Sequence, residues 1–243
     1  VITPELSVIT NIGWDHMNML GDTLEKIAFE KAGIIKQEVP VIVGEILSDT
    51  LPVFEKAAKE KNAPLSIAEN KWQCLESKWE NHKLFVTVRN ETTETYETDL
   101  PGIYQKKNLL TVLGSCHVLK NNGWKVNPEH IKAALSRVKK LTGLHGRWEI
   151  IRQSPLLVLD VAHNANGIEQ LTRQISLTNH NQLHIVLGMV KDKDIDQILR
   201  LLPKTAIYYF TKAQIPRALP EEELQKKAAM HQLKGSYYST VNT

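Results

Sequence analysis

Ionisable side chains follow two apolar stretches of this 243-residue sequence, and their types could bind phosphate groups or metal ions. Asp15 and His16 come shortly after the apolar run 7–12. Asp160 and His163, three residues apart, come at the end of a second apolar run. Ligands of open α/β sheets bind at the carboxyl ends of the strands, so each stretch is a candidate site.

A lysine in the first predicted helix is a third candidate. The segment 22–33 predicts a helix, because Asp22 can cap it, Glu25 three residues later fits a capping box, and Gly33 can end it. The apolar spacing of this helix continues to Lys31, which we therefore expect on its inward face. A buried ammonium is costly unless it is paired or modified, whereas a lysine near a helix carboxyl end can also reach water along its stem.

Two amides and one arginine are weaker candidates. Gln105 and Asn108 are three residues apart at the start of a predicted helix, so both can project from one face, although such amides are commonly surface or capping groups. Arg147 follows the glycines of the segment 141–148, which is typical of a linker and where an arginine is usually solvated. Arg217 is most simply a loop arginine.

The elements that must position these residues alternate between strands and helices. We predict strands at 7–12, 39–44, 65–67, 156–159, 184–188 and 207–210, and a further strand that starts at 237. We predict helices at 22–33, 51–62, 128–140, 192–202 and 221–230. Another helix starts at 104, and one more follows the turn 160–167 and ends at about 177. Such alternation predicts parallel α/β sheets. The run 156–159 reads as a buried strand, and the alternating segment 72–100 predicts an antiparallel hairpin or meander attached to the main sheet, with a turn near Asn90.

Composition describes an ordinary globular protein with 42% apolar and 23% charged residues. The net charge of +3 is spread among acids, so we expect no nucleic-acid binding. No stretch approaches the length of a membrane span, so we expect no membrane partner. Cys74 and Cys116 lack metal or redox spacing and are predicted to be reduced, which favours the cytoplasm. The sequence begins with Val1, and we expect it to be part of a longer polypeptide that acts as a monomer.

The motifs together resemble the dihydrofolate synthase/folylpolyglutamate synthase family of the Mur ligase superfamily. The resemblance is carried by Asp15-His16, Leu20-Gly21, Thr23-Leu24, Ile27-Ala28, Glu30-Lys31-Ala32-Gly33-Ile34 and the Asp-x-Ala-His-Asn turn that begins at Asp160. It implies an α/β fold in which 1–142 is the carboxyl-terminal part of a P-loop-type central domain. Residues 143–243 would then form a Rossmann-like parallel-sheet domain, expected to be incomplete.

The resemblance also implies roles for individual residues. It assigns a metal ion to His16 and to Lys31, which in that family is carbamylated, and it assigns a part in the reaction to Lys31, Asp160 and His163. It further implies that Asn108, in an element with Gln105, contacts the adenine of ATP, and that Arg147 contacts the phosphates. A neutral, desolvated lysine amine can take up carbon dioxide and then offers the oxygen ligands that Mg²⁺ prefers.

The reaction implied is the ATP- and Mg²⁺-dependent ligation of L-glutamate to dihydropteroate or folate through an acyl phosphate. Val161 and Ala165 stand where the family usually has glycine and proline, and no G-x-x-x-x-G-K-[ST] loop occurs in the 243 residues, so we expect them to be inactive alone. Two alternatives remain open. The chain could belong to a cell-wall Mur ligase that adds an amino acid to a UDP-muramyl precursor, or it could be a noncatalytic binding module.

Overall fold

The computed structural model describes residues 2–14 and 21–241 of the chain. Residues 1–161 and 162–243 form two compact units, called here unit 1 and unit 2. Asp15 and His16 lie outside the described residues, so their predicted roles stay predictions. The predicted domain division after residue 142 also stays a prediction.

Unit 1 contains a parallel sheet of three short strands in the order β1 (Ser7–Ile9), β2 (Val41–Val43) and β3 (Leu65–Ile67). Both neighbouring pairs are parallel, which confirms the predicted pairing. The middle strand consists of three β-branched residues that are all fully buried. A strand covered on both faces favours such residues, because they fit the pleated surface and need no polar contact.

Three helices, α1 (Leu24–Ala32), α2 (Leu51–Glu60) and α3 (Ala68–Lys71), alternate with these strands. The cap of α1 is Thr23, whose hydroxyl accepts a hydrogen bond from the Lys26 amide at 3.2 Å. The prediction that Asp22 caps the helix is wrong. Because Thr23 already has the extended backbone of a cap, Asp22 lies one residue outside the helix and pairs with the Lys26 ammonium at 2.6 Å.

The inward position predicted for Lys31 is also wrong, because its side chain is exposed. The buried residues of α1 are Ile27, Ala28 and Ala32. In its last turn the buried stripe therefore runs through the four-residue step from Ala28 to Ala32 and not through Ile27 to Lys31. The small alanine side chains allow close packing on that side of the helix. Lys31 does not belong to the buried stripe, and its side chain is exposed.

The segment after α3 forms the predicted antiparallel meander of β4 (Gln73–Glu80), β5 (Lys83–Arg89) and β6 (Thr93–Thr98). The Asn90 amide hydrogen bonds across the turn between β5 and β6, as expected. The meander is a sheet of its own and is joined to the parallel sheet by packing rather than by strand pairing. Its buried face, on β5, shares a hydrophobic cluster with Ile42 of β2 and with the long helix that follows.

That helix, α4 (Gln105–Asn121), is followed by α5 (Pro128–Leu135) and α6 (Val138–Thr142). The side chain of Asn127 caps α5 by accepting from the His130 amide at 2.9 Å. The single helix predicted over 128–140 is interrupted, because Arg137 has non-helical dihedral angles of −140° and 30°.

Unit 1 ends in a hairpin of β7 (Glu149–Gln153) and β8 (Leu156–Leu159). The apolar run predicted as a buried strand is β8, and this prediction is wrong in two respects. The strand pairs antiparallel with β7, and Leu156, Leu157 and Leu159 are 41–47% exposed. The turn between the two strands returns the chain directly onto β7, and a short apolar run does not by itself reveal its partner.

Unit 2 contains the parallel sheet that the alternation predicts. Its strands, in sequence order across the sheet, are β9 (His184–Leu187), β10 (Ile207–Phe210) and β11 (Lys234–Tyr237). Its helices are α7 (Ala165–Ser176), α8 (Ile195–Leu201) and α9 (Glu221–Met230). All three helices contribute buried residues to one cluster with Tyr208 and Phe210 of β10. None of the helices in the described ranges is both long and apolar enough to cross a bilayer.

Candidate functional site

The Asp160 carboxylate, at the end of β8, is the centre of a polar cluster in unit 1. Its Oδ2 atom accepts a hydrogen bond from the Tyr104 hydroxyl at 3.0 Å and another from the Trp148 backbone amide at 2.7 Å. The two donors belong to separate segments, the residue before α4 and the residue before β7. Two donors on one carboxylate oxygen limit the rotation of the carboxylate.

The backbone of Trp148 has an unusual conformation for a bulky residue. Its φ angle is +50°, in the left-handed region, and its side chain is buried. Such a conformation costs on the order of 1–3 kcal/mol and persists only where the surroundings enforce it. The neighbouring Gly146 carbonyl accepts from the Val161 amide at 3.0 Å, which fixes this loop to the residue after Asp160. The strained turn directs the Trp148 amide at the carboxylate.

The hydroxyl of Tyr104 stays protonated near neutral pH. Burial raises the pKa of Tyr104 far above its ordinary value of 10.0, and the negative charge and hydrogen bond of Asp160 raise it further, while Arg147 opposes the shift. A tyrosine with a raised pKa remains a hydrogen-bond donor over the range in which enzymes usually work. The Tyr104 contact with Asp160 is therefore a neutral donor bound to a carboxylate.

The predicted amide pair lies directly after Tyr104, in the first turn of α4. Asn108 Nδ2 donates to Gln105 Oε1 at 2.8 Å, which confirms that the two side chains share one face. Gln105 is buried, whereas Asn108 is exposed. The buried amide holds the exposed one, so Asn108 could present its remaining donor and acceptor atoms to a ligand.

Arg147 lies in a loop that is held by a glutamate. Glu149 accepts from the Gly146 amide at 2.9 Å and hydrogen bonds with the His145 ring at 2.9 Å. The Gly146 amide and then His145 lower the pKa of Glu149 below its ordinary value of 4.5. Arg147 itself is partly buried and donates to the Gly146 carbonyl at 3.3 Å. Arg147 thus directly precedes Trp148, whose backbone amide contacts Asp160.

Lys31, the one predicted metal ligand within the described residues, does not lie in this cluster. Lys31 is exposed on α1, and none of the hydrogen bonds or ion pairs among the described residues joins its side chain to Asp160. Within the same described part, no three histidine, cysteine, aspartate or glutamate side chains are grouped as a metal site. The described residues alone therefore do not fit a magnesium site.

His163 lies in unit 2, just before α7, and is exposed. The cap of α7 is Asn164, whose side chain accepts from the Gly167 amide at 2.8 Å. Asp160 is therefore not the cap of this helix, because the cap position is taken by Asn164, which has the extended backbone and side-chain oxygen that a cap needs. Asp160 is thus available for its contacts in unit 1.

The charged loops of unit 2 meet at the carboxyl ends of β9 and β10. Lys191 donates its backbone amide to the Arg217 carbonyl at 3.0 Å, and an isolated bridge joins Val190 to Ala218. Arg217 also lies 3.6 Å from the carboxylate of Asp192. Asp194 caps α8 through the Gln197 amide at 3.0 Å, so the helix predicted from 192 begins three residues later, at Ile195.

Sequence reasoning missed Tyr104 and Trp148. Tyr104 appeared only as the start of a helix, and Trp148 as the end of a linker. Their role depends on contacts across 56 and 12 residues, which no local pattern reveals. A usable signal was the position of each next to a predicted nucleotide residue, Gln105 and Arg147 respectively.

Two domain families match this sequence. Residues 1–116 match the Mur ligase middle domain, and residues 146–243 match the Mur ligase, glutamate ligase domain. A curated dihydrofolate synthase/folylpolyglutamate synthase of Bacillus subtilis is 30% identical over 231 residues, which cover 92% of this chain and 52% of that protein. The chain spans about half the length of the curated relatives it matches.

Solved structures give the same result. Escherichia coli FolC in complex with DHPP and ADP is 28% identical with a TM-score of 0.76, over 98% of this chain and 53% of that one. A Mycobacterium tuberculosis folylpolyglutamate synthase complexed with ADP and AMPPCP is 25% identical with a TM-score of 0.84, over 98% of this chain and 55% of that one. Both solved proteins are described as bound to nucleotides.

Proposed function

The chain belongs to the Mur ligase family, and from that membership we propose that it is part of an ATP-dependent ligase that joins L-glutamate to dihydropteroate or to folate. The observation that carries the proposal is the homology, over nearly the whole chain, to proteins named for these two activities. The polar cluster around Asp160 supports it, because Asp160 is the first residue of the Asp-x-Ala-His-Asn turn by which the sequence resembles that family.

We propose that two of the described residues contact different parts of the nucleotide. Asn108, oriented by Gln105, offers an amide donor and acceptor to the adenine ring. The Arg147 guanidinium supplies the planar fork that matches phosphate oxygens. Relatives solved with ADP or AMPPCP are consistent with a nucleotide site, and these residue assignments are our own proposal for this chain.

The proposed reaction has two steps. A carboxylate oxygen of the pterin substrate attacks the γ-phosphorus of ATP, the bond to ADP breaks, and an acyl phosphate forms. The glutamate amine then attacks the acyl carbon and releases a proton to solvent, and inorganic phosphate leaves with the oxygen that came from the carboxylate. Asp160 and His163 would help to orient the phosphate or the glutamate, and holding the reactants in line is the main contribution of such residues.

The proposed role of magnesium rests only on the resemblance of the sequence to the family. When bound, it would neutralise charge on the phosphate oxygens during transfer. We propose His16 and a carbamylated Lys31 as its ligands, although the exposed position of Lys31 does not provide the desolvation expected for carbamylation. The mass of the peptide that contains Lys31, measured in bicarbonate buffer without acid, would show one added carbon dioxide if the modification is present.

The function is tested by a glutamate-ligation assay on the polypeptide as its cell produces it and, in parallel, on the 243 residues alone. Dihydropteroate, tetrahydrofolate and a UDP-muramyl precursor are offered separately with ATP, Mg²⁺ and glutamate. We expect product with a pterin acceptor and a loss of at least about a hundredfold in the Lys31→Ala variant. We also expect the 243 residues alone to be inactive and the active protein to be a monomer by light scattering.

The other outcomes of this assay contradict the proposal in different ways. Turnover of the muramyl precursor without pterin product would place the protein among the cell-wall ligases. Binding of a pterin or nucleotide without turnover of any acceptor would favour a noncatalytic module.

A further inference from the structure

The contacts of Asp160 indicate roles for two residues that the sequence motifs do not assign. We propose that Tyr104 and Trp148 are positioning residues that hold the Asp160 carboxylate in the orientation that ligation requires, an inference that rests on the proposed function. Tyr104 acts through its hydroxyl, and Trp148 acts through its backbone amide. Neither residue needs to touch a substrate for this role.

The first argument is geometric. Both donors reach the same oxygen, Oδ2, at 3.0 Å from the Tyr104 hydroxyl and 2.7 Å from the Trp148 amide. A carboxylate held at one oxygen by two donors from different directions has its plane fixed, so the direction of its other oxygen is fixed as well. Substrate-positioning groups must be fixed in this way, because small displacements reduce rates steeply.

The second argument concerns what holds the two donors. The ring of Tyr104 lies against Gly102, where an added Cβ would come within 2.7 Å of its Cε1 atom. A side chain at this position would displace the ring, so the glycine permits the observed orientation. Trp148 has a buried side chain and a left-handed backbone. Both donors are therefore set by packing around them and not by the carboxylate alone.

The third argument is the connection to the nucleotide residues. Tyr104 precedes Gln105, which hydrogen bonds with Asn108, and Trp148 follows Arg147. Tyr104 thus adjoins the residue that orients Asn108, and Trp148 adjoins the proposed phosphate contact, so both donors to Asp160 belong to the segments of the proposed nucleotide site.

The test compares four variants of the polypeptide as its cell produces it: Tyr104→Phe, Asp160→Asn, the double variant, and the matched control Tyr96→Phe. Tyr96 is a half-buried tyrosine of β6 in the same unit, so its replacement removes a hydroxyl from a similar environment. Steady-state kcat and KM are measured for ATP, glutamate and the pterin acceptor. Amide hydrogen exchange at Trp148 is followed in the 243-residue chain.

We expect Tyr104→Phe to lower kcat by about tenfold to a hundredfold, with KM for ATP changed less than about twofold, because the group lost orients another residue. In the Asp160→Asn background the same change should have no further effect on kcat, since the residue it positions is already altered. Asp160→Asn should speed exchange of the Trp148 amide, because a neutral amide oxygen is a weaker acceptor than a carboxylate. Tyr96→Phe should retain the wild-type kcat.

Three results would overturn the inference. Equal kcat for Tyr104→Phe and Tyr96→Phe would show that the Tyr104 hydroxyl has no role in the reaction. Additive losses in the double variant would show that Tyr104 does not act through Asp160. A wild-type protein that ligates no acceptor would overturn the proposed function together with this role, whereas the first two results leave the ligase activity intact.

Discussion

Gly114 allows α4 to pack closely against β2, and its replacement tests the core of unit 1. A Cβ atom added at Gly114 would lie 2.3 Å from Cδ1 of Ile42 and 3.3 Å from Cζ3 of Trp72. Ile42 is fully buried in the middle strand, so its side chain has little room to move. Gly114→Ala should therefore destabilise unit 1 although alanine is the better helix former.

The magnitude follows from two opposing contributions. Alanine in the interior of a helix is about 1 kcal/mol more favourable than glycine. Overpacking a filled core costs about 1–3 kcal/mol, and a contact of 2.3 Å belongs at the upper end of that range. The net expectation is a loss of about 2 kcal/mol in the free energy of unfolding.

A second substitution separates overpacking from other causes. Ile42→Val deletes the methyl group that meets the new Cβ and should alone cost about 1 kcal/mol. In the double variant the clash is absent and the helical gain remains, so its stability should lie within about 0.5 kcal/mol of the wild type. The two losses are thus strongly non-additive, as expected for side chains in direct contact.

Urea denaturation followed by tryptophan fluorescence measures this stability in unit 1. All five tryptophans of the chain lie between residues 14 and 148, so their fluorescence reports on that unit. Two results would refute the reasoning: a Gly114→Ala variant at least as stable as the wild type, or a double variant whose loss equals the sum of the single losses.

Four further substitutions test other local contacts. Thr23→Ala should lower the stability of unit 1 by about 1 kcal/mol and Asp22→Ala by less, measured by urea denaturation, because Thr23 is the cap; the reverse order would contradict this. Contacts that lower the pKa of Glu149 stabilise the fold at pH values above 4.5, the ordinary pKa of this side chain. This stabilisation is lost as the pH falls below that value. In Glu149→Gln, the urea concentration at the midpoint of unfolding should thus fall less steeply between about pH 5 and about pH 3 than in the wild type. An equal slope in the two proteins would contradict this. In unit 2, Gly235→Ala should speed amide exchange in β10 and β11, because its Cβ would lie 2.0 Å from the backbone oxygen of Tyr208; unchanged exchange would contradict the close strand contact.

Sequence patterns predicted the elements of unit 2 well, because each strand there is flanked by a helix and pairs with its sequence neighbour. The strand 207–210 and the helix 221–230 have the predicted bounds. The same reasoning failed for β8, whose apolar run resembles a buried parallel strand but pairs with β7. Local periodicity reports how apolar a strand is and does not identify its partner.

The candidate site was predictable only where a function depends on nearby residues. The pairing of Gln105 with Asn108 follows from helical spacing, and the structure confirms it. The burial expected for Lys31 followed from the same spacing and was wrong, because two alanines define the buried stripe of the last turn. The donors to Asp160 could not be predicted, since they depend on how α4 and the 143–148 loop approach the end of β8.

The most direct test of the proposed reaction is whether an oxygen of the acceptor carboxylate is transferred to inorganic phosphate. The pterin substrate is labelled with oxygen-18 in its reacting carboxylate, and the inorganic phosphate released during ligation by the polypeptide as its cell produces it is analysed by mass spectrometry. The proposed acyl phosphate predicts one labelled oxygen in each phosphate formed, with equal amounts of phosphate and glutamyl product. Phosphate that carries no label while glutamyl product accumulates would contradict the central claim.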